Sequence, residues 1–275
     1  MTPTLHTLKE KLINIRNCPD HDTADFGLVP GMLENIGSTD PVLRDDLIYE
    51  TFAGWIEADK FSPGELKHLL NTCLDDSHAF YRIGEEGTDS VFTRTFSLLV
   101  VALIIDAHRR NTFLTLADLR EVKAKMVRYM AEEKDVRGYV GEKGWAHSTA
   151  HAADVFGELG KCEEFTDSRD LLDILHSVSE KVVINSYIYI HREDERLARA
   201  VVGILGRRIL DKQAIVGWLE MFGEILKSGS HPEDDYLRNN VKMFLRSLYF
   251  RLSPDGYEGQ IRPLIENVLQ KLSKF

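Results

Sequence analysis

Residues 135–154, DVRGYVGEKGWAHSTAHAAD, concentrate the chain's chemically able side chains. His147 and His151 stand four residues apart, and Asp154 follows three further on. On a helix, at about 100° per residue, the three fall within about 60° of arc on one face. Imidazoles at this spacing are how one helix offers two ligands to a divalent metal. Asp154 would lie about 10.5 Å along the axis from His147, too far to share one ion comfortably. It reads as an orienting partner for His151 or a counter-charge to a neighbouring arginine. A zinc-type site would then need a third ligand from elsewhere. His191, Glu193, Asp194 and Glu195, in the HREDE stretch, are the candidates.

The segment before the histidines can bind a ligand differently. Gly138, Gly141 and Gly144 make a loop able to approach a ligand closely, and the spacing predicts a helix from near Gly144. Unpaired N–H groups at such a start, with Arg137 and Lys143 beside them, suit a small anion. The loop lacks the G-x-x-x-x-G-K-[ST] pattern of nucleotide-binding loops. The alternative is a purely structural turn packed by Tyr139 and Trp145, with histidines that satisfy one another by hydrogen bonds. Ser148 stands where an H-E-x-x-H protease carries its glutamate, which argues against that class. A Ser148–His triad lacks a nucleophile elbow, and one helix cannot aim all three groups. Arg94 is a weaker candidate for the same groove, with a helix-start salt bridge as its simpler role.

The elements that must hold these residues read as helices throughout. Asp40-Pro41 opens one, Ser62-Pro63-Gly64-Glu65 forms a capping-box start, and Thr115 to Asp118 repeats the motif. Further starts fall near Thr166, Glu193, Asp211, Pro232 and Gln260. The β-branched residues 182–190, VVINSYIYI, are the one strand-like stretch; helix to about Asn185 and then a loop is the preferred reading. Starts of successive helix pairs near 40, 88, 143, 191 and 232 approach the HEAT and armadillo period. The expected fold is all-α, an armadillo/HEAT-like, α-solenoid-like stack of antiparallel helix pairs, forming one domain over residues 1–275.

Composition limits the partners. The formal net charge is −10, from 34 basic and 44 acidic side chains, and no long basic run offers a nucleic-acid surface. Cys18, Cys73 and Cys162 are sparse and form no CxxC pair, which argues against a disulfide framework and a cysteine-based zinc site. The start lacks the apolar core of a signal peptide. The most apolar run, residues 96–107, is too short to span a bilayer and reads as a buried helix. A cytoplasmic protein without membrane or nucleic-acid contact is expected; the oligomeric state is not legible.

The stretch RGYVGEKGWAHSTAHAAD resembles a bacterial family designated domain of unknown function 2785. Residues 93–108, TRTFSLLVVALIIDAH, and 191–201, HREDERLARAV, support the resemblance, which extends over most of the chain. It implies a helical, armadillo-like fold and carries no established activity. Arg137, Gly138, Tyr139, Lys143, Gly144, Trp145, His147, His151 and Asp154 match the family motif.

Two functions remain open. One is a polar ligand-binding pocket, with metal-assisted hydrolysis as its catalytic form, built on Arg137, Tyr139, Lys143, Trp145, His147, His151 and Asp154. His147 and His151 would be the metal ligands there, and no catalytic residue is assigned. The other is a non-catalytic helical scaffold that holds a protein or peptide on a concave face.

Overall fold

The computed structural model describes residues 5–17, 25–225 and 228–273; Cys18 lies outside them. It is all-helical, and among the described residues there is no strand, only an isolated bridge between Tyr139 and Trp145. The chain gathers into two compact units, Met1–Leu114 with Glu132–His151, and Thr115–Ala131 with Ala152–Phe275.

The first unit holds α1 (Leu5–Asn17), α2 (Val29–Glu34), a π-helical segment (Val42–Tyr49) continuing into α3 (Glu50–Glu57), α4 (Pro63–Cys73) and α5 (Ser90–Arg110). Ser62 caps α4 in the expected capping box, bonded reciprocally with Glu65. α5 packs against α3 and α4 and buries Val91, Phe92, Leu98, Val100, Ile104 and Ile105. At 21 residues it outlasts the apolar run read from sequence. It is the one described helix long and apolar enough to cross a membrane, yet 78% of its most apolar window is buried inside the protein. A helix at the centre of a packed core has that property.

Inside this unit lies a fully buried ion pair. Arg94 donates from Nε and Nη2 to both carboxylate oxygens of Glu133, at 2.6 and 2.9 Å, and neither side chain reaches solvent. Its Nη1 bonds Ser90 Oγ and the carbonyls of Tyr81 and Arg82. With its donors so satisfied, Arg94 joins the segment before α5 to the segment after α6 (Leu116–Glu132) and is structural.

α7 (Ser148–Lys161) starts in the first unit and ends in the second. The second unit also holds α8 (Ser168–Val182), α9 (Glu193–Gly206), α10 (Lys212–Met221), α11 (Glu233–Arg251), α12 (Gly256–Gly259) and α13 (Arg262–Ser273). α9 packs on α11 and α8, and α11 packs on α13. α8 stops at Val182, three residues before the expected end. There Tyr189 Oη bonds the Lys181 carbonyl, while Asn240 of α11 takes the Tyr189 N–H and donates to the Ile184 and Tyr187 carbonyls. Those bonds hold the strand-like residues as an extended loop, satisfying their backbone without a sheet partner.

Candidate functional site

The helix expected near Gly144 begins four residues later, at Ser148. Residues 137–147 instead fold back as a short hairpin. Val140 N–H bonds the Gly144 carbonyl, Ala146 N–H the Gly138 carbonyl, and His147 N–H the Arg137 carbonyl. A single 3₁₀ turn, Gly141–Lys143, closes the tip. Gly141 (φ 52°) and Gly144 (φ 76°) take left-handed backbone that only glycine adopts cheaply. At Gly144 space is short as well: a Cβ there would lie 3.1 Å from Arg44 Nη2 and 3.3 Å from Pro41 Cβ.

Arg44 is the post on which the hairpin rests. Its side chain is inaccessible to solvent, with the guanidinium 4.3 Å from the ring centre of Phe92 and 4.5 Å from that of Phe96. It pairs with Asp45 at 2.7 Å and donates to the carbonyls of Ser38 and Lys143. Burial pulls the Arg44 pKa below its ordinary value, against the attraction of Asp45. It pushes Asp45 up against the same attraction.

The bridge sets Tyr139 and Trp145 opposite each other with ring centres 4.9 Å apart. Trp145 stacks on His147 at 4.4 Å; His147 meets His151 edge-on at 5.9 Å; His151 meets Phe96 edge-on at 5.5 Å. The row therefore runs from the surface, where Tyr139 is 53% and Trp145 39% exposed, into the core. His147 sits just before α7 with φ 52°, a left-handed conformation unusual for a side chain with a Cβ. His151 lies on the first turn and is buried.

Both cations beside the row have partners. Arg137 is clamped by Asp135 through Nε (2.8 Å) and Nη2 (2.6 Å) and also donates to the Thr88 carbonyl. That hydrogen bonding to buried Asp135 raises the Arg137 pKa. Lys143 pairs with Asp89 at 2.7 Å, with both side chains about half exposed. Ser148 Oγ donates to the Asp135 carbonyl, so it serves as a local brace.

Asp154, on the part of α7 assigned to the second unit, is the counter-charge of Arg196 and Arg199 from α9. The acids of the HREDE stretch have local partners too. Glu193 accepts from the His191 N–H, Asp194 from Ser247, and Glu195 from Arg192 and Arg251. Among the described residues, no third His, Cys, Asp or Glu donor falls within coordinating reach of both His147 and His151. Two imidazoles alone would be half of a four-coordinate zinc shell.

Sequence reasoning missed Arg44 and Phe96. Their only signal was an arginine within an apolar helical stripe and a phenylalanine in an unbroken apolar run.

Residues 79–250 match the family model described as a protein of unknown function, DUF2785. The chain belongs to that family. The matched segment contains the whole hairpin and all of α7, so the aromatic row is part of what the family model spans. No curated protein and no solved structure matches the chain.

Proposed function

We propose that the chain is a non-catalytic binding scaffold whose contact surface is the ledge formed by Arg137, Tyr139, Trp145 and His147. The observation that carries this reading is a hydrogen-bonded hairpin that leaves the Tyr139 and Trp145 rings partly exposed. Exposed Tyr and Trp add little to folding, because the apolar area they leave in water gives no hydrophobic gain. Tyr, Trp and Arg are the residue types that dominate binding energy at protein interfaces. Here each is already immobilised: Arg137 by Asp135, Trp145 by His147, Tyr139 by Trp145. A preorganised ledge loses little side-chain entropy when a partner docks. Its ligand is a protein or peptide offering a flat apolar contact. The satisfied cations, Arg137 on Asp135 and Lys143 on Asp89, make a small anion the weaker occupant.

In the second unit, the packing of α8, α9, α11 and α13 on one another favours helix-pair stacking of the HEAT or armadillo kind.

Site-directed photo-crosslinking in the native cell tests the ledge. A photoreactive phenylalanine at position 139 should give a discrete adduct that Trp145→Ala removes. The same group at Phe250, 79% exposed on α11, should give none. Equal labelling at both positions, or none at 139, overturns the reading.

A second reading keeps a metal-assisted hydrolytic centre, favoured by the 5.9 Å approach of the His147 and His151 rings. It requires solvent or substrate to complete the ligand shell. Elemental analysis decides it: zinc bound one to one in the wild type, and lost in both His147→Ala and His151→Ala, would support this reading over the scaffold.

A further inference from the structure

The first unit carries a cavity unrelated to the ledge. It measures about 890 Å³ and lies along α2 and α4, with Thr93 of α5 also in its lining. Its apolar walls include Phe26, Leu33, Phe61, Leu69 and Tyr81. Most of its lining precedes residue 79, where the family match begins, so the cavity is not accounted for by the family segment. The volume is that of a small-molecule site.

The charge of the lining is one-sided. Glu34 and Glu65 contribute carboxylates, and among the described residues lysine and arginine are absent from it. Hydrogen bonds from Ser62 hold the Glu65 carboxyl below the usual range, so it stays ionised. His78, also in the lining, is bonded to Asp75 at 2.8 Å. At one end Phe26 and Phe61 stand 5.0 Å apart, and each is 6.2 Å from Trp55, which backs them. Ring faces attract cations, and most strongly those with weakly hydrated, alkylated nitrogen.

We propose that this cavity binds a cationic amphiphile: an aliphatic or aromatic body in the apolar trough, with an ammonium head drawn to the aromatic rings and the lining carboxylates Glu34 and Glu65. An anionic amphiphile of the same length would set its head against Glu34 and Glu65. A free inorganic cation would leave the apolar walls wet.

Calorimetry on the full chain tests this with decyltrimethylammonium and decanoate, both below their micellar concentrations. The cation should bind at one site about tenfold tighter than the anion. Glu34 is exposed, so Glu34→Lys should fold normally, and it should abolish or reverse that preference. Equal binding of both probes, binding of neither, or an unchanged preference in Glu34→Lys overturns the proposal. So does binding of a basic amphipathic peptide in place of the surfactant, or a sedimentation shift showing a second chain in the trough. Trp145→Ala, which disables the ledge, should leave the surfactant affinity unchanged, so the two sites fail or succeed separately.

Discussion

Arg44 Nη2 donates to the carbonyl oxygen of Lys143 at 2.9 Å, across 99 residues of sequence. Through this bond a buried guanidinium on the π-helical segment fixes the tip of the hairpin that presents Tyr139 and Trp145. Arg44→Met should therefore destabilise the fold by about 3 kcal/mol, because it strands Asp45 and unties the loop. Urea denaturation measures the loss. Mobility of the Trp145 indole, read from fluorescence anisotropy, should rise in the same variant.

The two loop glycines should respond differently to alanine. Gly141 has left-handed φ, but a Cβ added there would meet nothing within 4 Å, so Gly141→Ala should cost about 1 kcal/mol. At Gly144 the same strain is joined by contact with Arg44 and Pro41, so Gly144→Ala should cost about 2–3 kcal/mol. Paired chemical denaturation curves check the order.

His147 gives a sharper test of function against stability. Its left-handed backbone costs about 1–2 kcal/mol for any residue with a Cβ. Its stack on Trp145 returns about 0.5–1.5 kcal/mol. His147→Gly removes both and should leave stability within about 0.5 kcal/mol of wild type. His147→Ala keeps the strain, loses the stack, and should be the less stable of the two.

The buried pair of Arg94 and Glu133 should show non-additivity. Glu133→Gln leaves an uncompensated guanidinium in the core and should cost about 3–5 kcal/mol. Arg94→Met combined with Glu133→Leu should cost less than the sum of the single changes.

One titration has a predictable sign. Asp167 caps α8 by accepting the Arg169 N–H, and it also pairs with the Arg169 side chain. Bonds from the Arg169 side chain, then from its backbone, hold the Asp167 carboxyl at about 2. A depressed carboxylate stabilises the folded state above its ordinary pKa and stops doing so as pH falls through the folded value. The capping contribution should thus fade from about pH 4 towards pH 2. Carbon-detected NMR titration of Asp167 checks this, and Arg169→Ala should move the midpoint upward.

Much of the helical frame was legible because caps are local chemistry. Ser62 with Glu65, Asp167 and Asp211 announce helix starts within three residues, and the structure uses each as a cap. The hairpin was not legible as such. Ala146, Ala150, Ala152 and Ala153 around the histidines read as a helix from near Gly144, and long-range support from Arg44 and Asp135 holds residues 144–147 outside it. The adjacency of Trp145, His147 and His151 could be read in part from spacing. The occupancy of Arg137 by Asp135 and of Asp154 by Arg196 and Arg199 could not, since those pairings are chosen by packing.

The most direct test of the ledge is the double variant Tyr139→Ala/Trp145→Ala, measured for both thermal midpoint and recovery of the position-matched partner adduct. A photoreactive group at Lys143 serves as the reporter, since position 139 is changed. Stability should fall by about 1–3 kcal/mol, the worth of the Tyr139–Trp145 pair and of the Trp145 stack on His147, with the fold retained and the adduct lost. A large drop in the midpoint with the adduct retained would contradict it, making the two rings part of the fold's packing and not a contact surface.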